Sequence, residues 1–87
     1  MKLLHLSDLH IGKSLGNFSL LEDQKYVLDQ ILEIIEDKKV EAVMIAGDIF
    51  DTALASAEAL DLYNYFIEKI VFDLDIKVII WKNSFYA

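Results

Sequence analysis

The sequence predicts an α/β fold in the order strand-helix-strand-helix-strand, with the strands parallel. Three observations predict it. Residues 3–6, 42–46 and 76–81 form short apolar runs of strand length. Two stretches of helical period lie between them. The first two runs each end in an acidic turn, Ser7-Asp8-Leu9-His10 and Gly47-Asp48-Ile49-Phe50-Asp51. Alternation of this kind sets parallel strands side by side through helical crossovers.

The first strand is expected over residues 2–7. Residues 9–18 hold Gly12, Gly16 and Asn17 and read as a loop. Lys13 sits in this loop. A solvated side chain is the usual state of a lysine; a phosphate contact is the functional alternative. Ser19-Leu20-Leu21-Glu22 has the form of a capping box, so a helix is expected over 20–38. Val27, Leu28, Ile31, Ile34 and Ile35 make its apolar stripe. Glu22 and Asp23 in the first turn, and Lys38 and Lys39 in the last, suit the helix dipole. Asp29, Glu33, Glu36 and Asp37 read as a solvated face.

The second strand is expected over 41–46. Ser56 is the expected N-cap of a second helix over 56–71, with Leu60, Tyr63, Ile67, Ile70 and Val71 as its apolar stripe. Tyr63, Tyr65 and Phe66 read as core packing rather than a ligand box. The third strand is expected over 76–81. With the strands in sequential order, both helices fall on one face of the sheet. Yet the strands are apolar on both faces, which is normal only when both are covered. The sequence therefore reads as part of a larger fold.

At 87 residues the chain is one domain at most. A hydrophobic content of 55% excludes a disordered chain. The 15 acids outnumber the 8 bases, all lysine, for a net charge of -7. That balance argues against binding DNA or an anionic membrane through a general basic surface. A metal-dependent phosphate site remains open, because cations bring their own positive charge. The lack of arginine removes the usual bidentate phosphate clamp. With no cysteine there is neither a disulfide nor a thiolate metal site. No run approaches the ~20 apolar residues of a membrane span, and His5 and Asp8 interrupt any signal-peptide core. A cytoplasmic protein with no membrane association is expected.

The two acidic turns carry the chemistry. Residues two apart on a strand point the same way, so Asp8 and His10 converge if the strand geometry persists. A carboxylate oxygen and a neutral imidazole nitrogen are both good ligands for Mn, Fe or Zn. Each turn alone has a plain structural reading: Asp8 and Asp48 as turn formers or helix caps, Gly47 as the residue of a tight turn, Asp51 as the end of a loop. Together they say more. Asp8, Asp48 and Asp51 crowded at adjacent strand ends would repel one another unless a cation neutralised them.

Asp8-x-His10 and Gly47-Asp48-x-x-Asp51 resemble the first two motifs of the calcineurin-like metallophosphoesterases. The closer resemblance is to the SbcD-type nuclease branch of that family. It rests on residues 4–12, on Glu22-Asp23-Gln24 opening the helix, on Ala46-Gly47-Asp48-Ile49-Phe50-Asp51-Thr52, and on Leu62-Tyr63-Asn64-Tyr65-Phe66. It runs from residue 2 to about 80. The resemblance implies the N-terminal βαβαβ portion of the metallophosphoesterase sandwich. It implies that Asp8 and His10 hold one metal and that Asp48 bridges to a second; Asp51 matches the second acid of the motif, with a role either in supporting the ligands from behind or in ordering the loop. Mn²⁺ is the implied cofactor, and an O/N ligand set without sulfur suits it. The implied activity is hydrolysis of phosphodiesters at double-stranded DNA ends and hairpins, as exonuclease and endonuclease, with an SbcC-type ATPase as partner. For the full-length protein it implies a homodimer within a heterotetramer. His5 reads as a strand histidine rather than a ligand.

The departure is at the C-terminus. The family's third motif is Gly-Asn-His-Asp/Glu, whose Asn binds metal and whose His is the catalytic acid. Here Lys82-Asn83-Ser84-Phe85-Tyr86-Ala87 follows the third strand. Asn83 is the candidate for the Asn position, and Ser84 stands where His is expected. No catalytic residue of that motif is therefore expected in residues 1–87, which read as a metallophosphoesterase domain truncated after its third strand. The alternatives are another phosphatase or phosphodiesterase of the same fold, and a catalytically inactive module that binds a partner through its uncovered sheet face.

Overall fold

The computed structural model describes residues 1–16, 18–51 and 54–81. Asn17, Thr52, Asn83 and Ser84, which the motifs above include, lie outside the described residues. Three parallel strands, β1 (Leu3–Ser7), β4 (Ala42–Ala46) and β5 (Lys77–Trp81), form a sheet in the order β1-β4-β5. Between β1 and β4 lie a small hairpin, β2 (Ser14–Leu15) and β3 (Phe18–Ser19), and helix α1 (Leu21–Asp37). Helix α2 (Ala57–Glu68) continues into a π-helical turn, Lys69–Asp73, before β5. The α/β class, the parallel strands and their sequential order are those the sequence predicts. The hairpin is not: residues expected as plain loop pair Ser14 with Ser19 and Leu15 with Phe18. A two-residue pairing leaves too little alternation to be visible in sequence.

Local chemistry explains the element ends. Ser56 caps α2, its hydroxyl accepting the Ala59 N–H at 3.1 Å. At α1 the expected capping box is not made. Ser19 Oγ accepts the Leu21 N–H at 3.2 Å, but the cap position belongs to Leu20, without a side-chain bond. Lys38 and Lys39 stand beyond the last turn rather than in it. Lys39 takes a left-handed backbone (φ 54°), so that Val40 N–H reaches Ile35 O at 3.1 Å and Lys39 N–H reaches Glu36 O. This double closure satisfies helix carbonyls and tucks Val40 against Ile35 in the core.

One core joins the layers. Leu28 and Ile35 of α1, Ala59, Leu62 and Phe66 of α2, and Ile70 pack with Val43 and Ile45 of β4. Leu4 and Leu6 of β1 and Val78 of β5 lie against them. The most buried line is thus Ala59, Leu62 and Phe66 of α2 with Ile70 of the π-turn; of the stripe read from the sequence, Ile70 is fully buried, Tyr63 and Ile67 flank the core, and Leu60 does not belong to it. Leu60 is exposed. On α1, Val27 and Ile34 are likewise about half exposed, on the flank of the buried line. Both helices are apolar over a broad arc, and only their contacts with each other and the sheet select the line that is buried. Tyr63 and Phe66 pack as expected, Tyr63 edge-on to Phe50 at 5.3 Å between centroids. Tyr65 also lies against the core, and its hydroxyl donates to Asp29 Oδ1 across the two helices.

The strand pleat puts Leu3, His5, Met44, Ile79 and Trp81 on the face opposite the helices. Leu3 is 52% exposed, Ile79 43% and Trp81 60%. That face is bare among the described residues. His5 stands on it as the strand histidine expected, exposed and, among the described residues, with no side-chain hydrogen bond.

Candidate metal centre

The loops after β1 and β4 extend the sheet past its strand ends. Asp8 N–H donates to Ala46 O at 2.9 Å, His10 N–H to Asp48 O at 3.1 Å, Ile11 N–H to Ile49 O at 2.8 Å, and Asp51 N–H to Ile11 O at 3.0 Å. A parallel bridge between Ile11 and Phe50 closes this extension. Ile11 is buried and anchors the first loop in the core. The two acidic turns are therefore tied along their length, and both open at the carboxyl edge of the sheet.

The backbone turns sharply to do this. Asp8 (φ 53°) and His10 (φ 47°) are both left-handed. Such a conformation costs an L-residue about 1–2 kcal/mol, and at functional sites it persists only where the surroundings enforce it. Here the loop-to-loop hydrogen bonds enforce it. Gly47, beside them, has φ 84°, and a Cβ on it would stand 2.1 Å from Asp8 Oδ1. The carboxylate of Asp8 thus occupies the space that a side chain at 47 would take. The same Oδ1 accepts the Asp48 N–H at 3.1 Å, which orients the carboxylate.

In consequence Asp8, His10 and Asp48 each bring a ligand atom within 4.8 Å of the others. The donor set is two carboxylates and an imidazole. Among the described residues no lysine pairs with Asp8 or Asp48. His10 Nδ1 is buried and has no hydrogen-bond partner. Asp51 Oδ1 is its nearest acid at 3.6 Å, beyond hydrogen-bond reach. Two unneutralised carboxylates beside an imidazole are a donor set that a divalent cation would satisfy, so the residues fit one. Lys13 is exposed, and among the described residues its side chain makes no bond; its backbone carbonyl is engaged by Leu20 N–H.

Sequence reasoning missed the part of Gln24. From the first turns of α1 its Nε2 donates to His10 O at 2.9 Å, and its Oε1 accepts the Gly12 N–H at 2.9 Å. The signal was present in Glu22-Asp23-Gln24, which marks the helix start without saying what the amide does.

Comparison with known proteins shows the family. The SbcD component of the SbcCD nuclease of Staphylococcus epidermidis (strain ATCC 12228 / FDA PCI 1200) is 41% identical to this chain over 84 residues. The alignment covers 97% of this chain and 22% of that protein, so the chain spans about a fifth of the relative's length. The profile of the calcineurin-like phosphoesterase family matches residues 1–81, which include both acidic turns and all three strands of the sheet. The chain, with its strand-end carboxylates and imidazole gathered at one edge of a parallel sheet, belongs to the calcineurin-like phosphoesterase family.

Proposed function

We propose that these residues form the first βαβαβ portion of an SbcD-type, Mn²⁺-dependent DNA nuclease domain. The convergence of Asp8, His10 and Asp48 at one strand edge carries the reading. The identity to a protein named as part of a nuclease supports the nuclease branch of the family. Asp8 and His10 would hold one cation, and Asp48 would bridge toward a second. Asp51 stands behind His10 at Nδ1, where a small rotation lets it fix the ring, a common arrangement behind a histidine ligand. Lys13, on the adjoining loop, is free to meet a phosphate. Bound divalent cations at such a centre activate water and offset charge on a phosphodiester.

The proposed substrate is double-stranded DNA at ends and hairpins, and the proposed partner is an SbcC-type ATPase within a heterotetramer. A cytoplasmic location accords with this reading; no helix among the described residues is long and apolar enough to cross a membrane. His5 lies on the open sheet face and does not supply a proton donor to the site.

A chimera tests the reading. Residues 1–81 of this chain replace the matching segment of the Staphylococcus epidermidis nuclease component. Mn²⁺-dependent degradation of linear duplex DNA is expected to survive the exchange and to be abolished by Asp48→Asn. Activity unchanged by Asp48→Asn would overturn the assignment of Asp48.

A further inference from the structure

We infer that Gln24 is a positioning residue for His10, setting the affinity of the metal centre through the backbone rather than by touching a ligand atom. The inference rests on the metal reading above. Its basis is the way the segment 10–12 is held. One side of this segment is tied to the second acidic loop through the amides of His10 and Ile11 and the carbonyl of Ile11. What remains is the carbonyl of His10 and the amide of Gly12, which face the other way. Gln24 takes both, donating to the first and accepting from the second, each at 2.9 Å. A primary amide carries a donor and an acceptor side by side, so it can stand in for the edge of a neighbouring strand. Asn in the same place is one methylene short, and Glu lacks the donor.

The bonds matter because His10 is in a left-handed conformation that it would not hold unaided. Its imidazole presents a buried, unsatisfied Nδ1. Release of the His10 carbonyl would let the residue relax toward negative φ and swing the ring away from Asp8 and Asp48. Gln24 itself sits on the second turn of α1, whose own backbone is anchored by the Gln24 N–H bond to Leu20 O. The clamp therefore refers the ligand loop to a helix packed in the core.

The test compares three variants of the full chain. Gln24→Met keeps length and helix preference and removes both bonds. Gln24→Glu keeps the acceptor for Gly12 and sets an oxygen against the His10 carbonyl. Gln30→Met, on the exposed side of the same helix, is the control. Mn²⁺ affinity is read by electron paramagnetic resonance titration, and amide hydrogen exchange by NMR without metal. Altering a residue behind a ligand typically costs 10–100-fold in metal affinity. Gln24→Met and Gln24→Glu are each expected to lose at least about tenfold, with Gln30→Met unchanged. The amides of both Gly12 and His10 are expected to exchange faster in Gln24→Met while those of Val43 and Ile45 keep their protection. Wild-type affinity in both Gln24 variants would overturn the inference and leave the metal reading standing. Absence of Mn²⁺ binding in the wild type would sink the metal reading, and the exchange rates would then decide the clamp alone. Acceleration confined to Gly12, with His10 unmoved, would show that Gln24 does not position it.

Discussion

Asp8 and Gly47 show how closely single residues are matched at the strand edge. The carboxylate fills the volume beside Gly47, whose φ of 84° also disfavours any side chain. Gly47→Ala should therefore act twice. The new methyl displaces Asp8 Oδ1, and the left-handed backbone costs about 1–2 kcal/mol. We expect Mn²⁺ binding to fall below detection and the unfolding midpoint to drop by at least about 4 °C for a domain of this size. Gly16→Ala is the contrast: its φ is 60°, but nothing stands within 4 Å of the added methyl. It should carry a similar backbone cost and leave metal binding intact. Calorimetry and titration of the two variants separate conformation from contact.

The two helices are joined by a polar latch outside the core. Tyr65 of α2 donates to Asp29 Oδ1 of α1, and Lys25 Nζ lies 2.8 Å from Asp29 Oδ2. The Lys25 ammonium also sits 4.8 Å above the Tyr65 ring. The hydrogen bond from Lys25, and then that from Tyr65, hold the Asp29 carboxyl below its ordinary value. A carboxyl depressed in the folded state favours folding above its unfolded value and loses that contribution as pH falls through the folded one. The latch should thus be fully made at neutral pH and vanish in acid, below the usual carboxylate range. Tyr65→Phe should cost about 1 kcal/mol at pH 7, or roughly 4–8 °C in midpoint. The wild type and the variant should converge in acid. A gap that persists when Asp29 is protonated would mean that ring packing, not the hydrogen bond, joins the helices. Ser56→Ala is an independent check on α2, since it removes a cap bond without touching the latch.

For the whole molecule the unequal faces of the sheet dominate. Leu3, Ile79 and Trp81 stand open on the face without helices, and β5 is an edge strand. Open apolar edges invite pairing with other chains, and a large apolar patch is unusual on a monomer. This 87-residue chain is expected to bind a hydrophobic dye and to self-associate as concentration rises. Trp81→Ser should reduce both. A monodisperse, dye-silent monomer at high concentration would count against the bare face. The same scale limits activity. On the proposed assignment Asp8, His10 and Asp48 would supply ligands for one cation and a bridge, whereas phosphodiester hydrolysis by two metals needs ligands for both. A proton donor is typically worth 10²–10⁴-fold more. The chain alone is expected to bind Mn²⁺ weakly and to leave linear duplex DNA uncut. Metal-dependent cleavage that disappears with Asp48→Asn in this same chain would refute that expectation.

Much of this was legible in the residues themselves. Apolar runs of strand length, a serine before each helix and the period between them determine the βαβαβ order, because these are local properties of a few neighbouring side chains. The acidic turns were legible for a related reason: a strand end is where successive side chains can meet, and Asp8, His10 and Asp48 are of types that bind cations. Tertiary structure decided the rest. Which stripe of α2 is buried depends on where the sheet lies, so Leu62 and Phe66 are in the core and Leu60 is not. The left-handed turns at Asp8 and His10 are held by partners distant in sequence, the second loop for both and Gln24 for His10. Gln24 could be seen as a helix residue but not as a clamp, since the loop backbone it grips is brought to it by folding. The need for glycine at 47 likewise comes from a carboxylate far away in sequence, at Asp8, which no local pattern records.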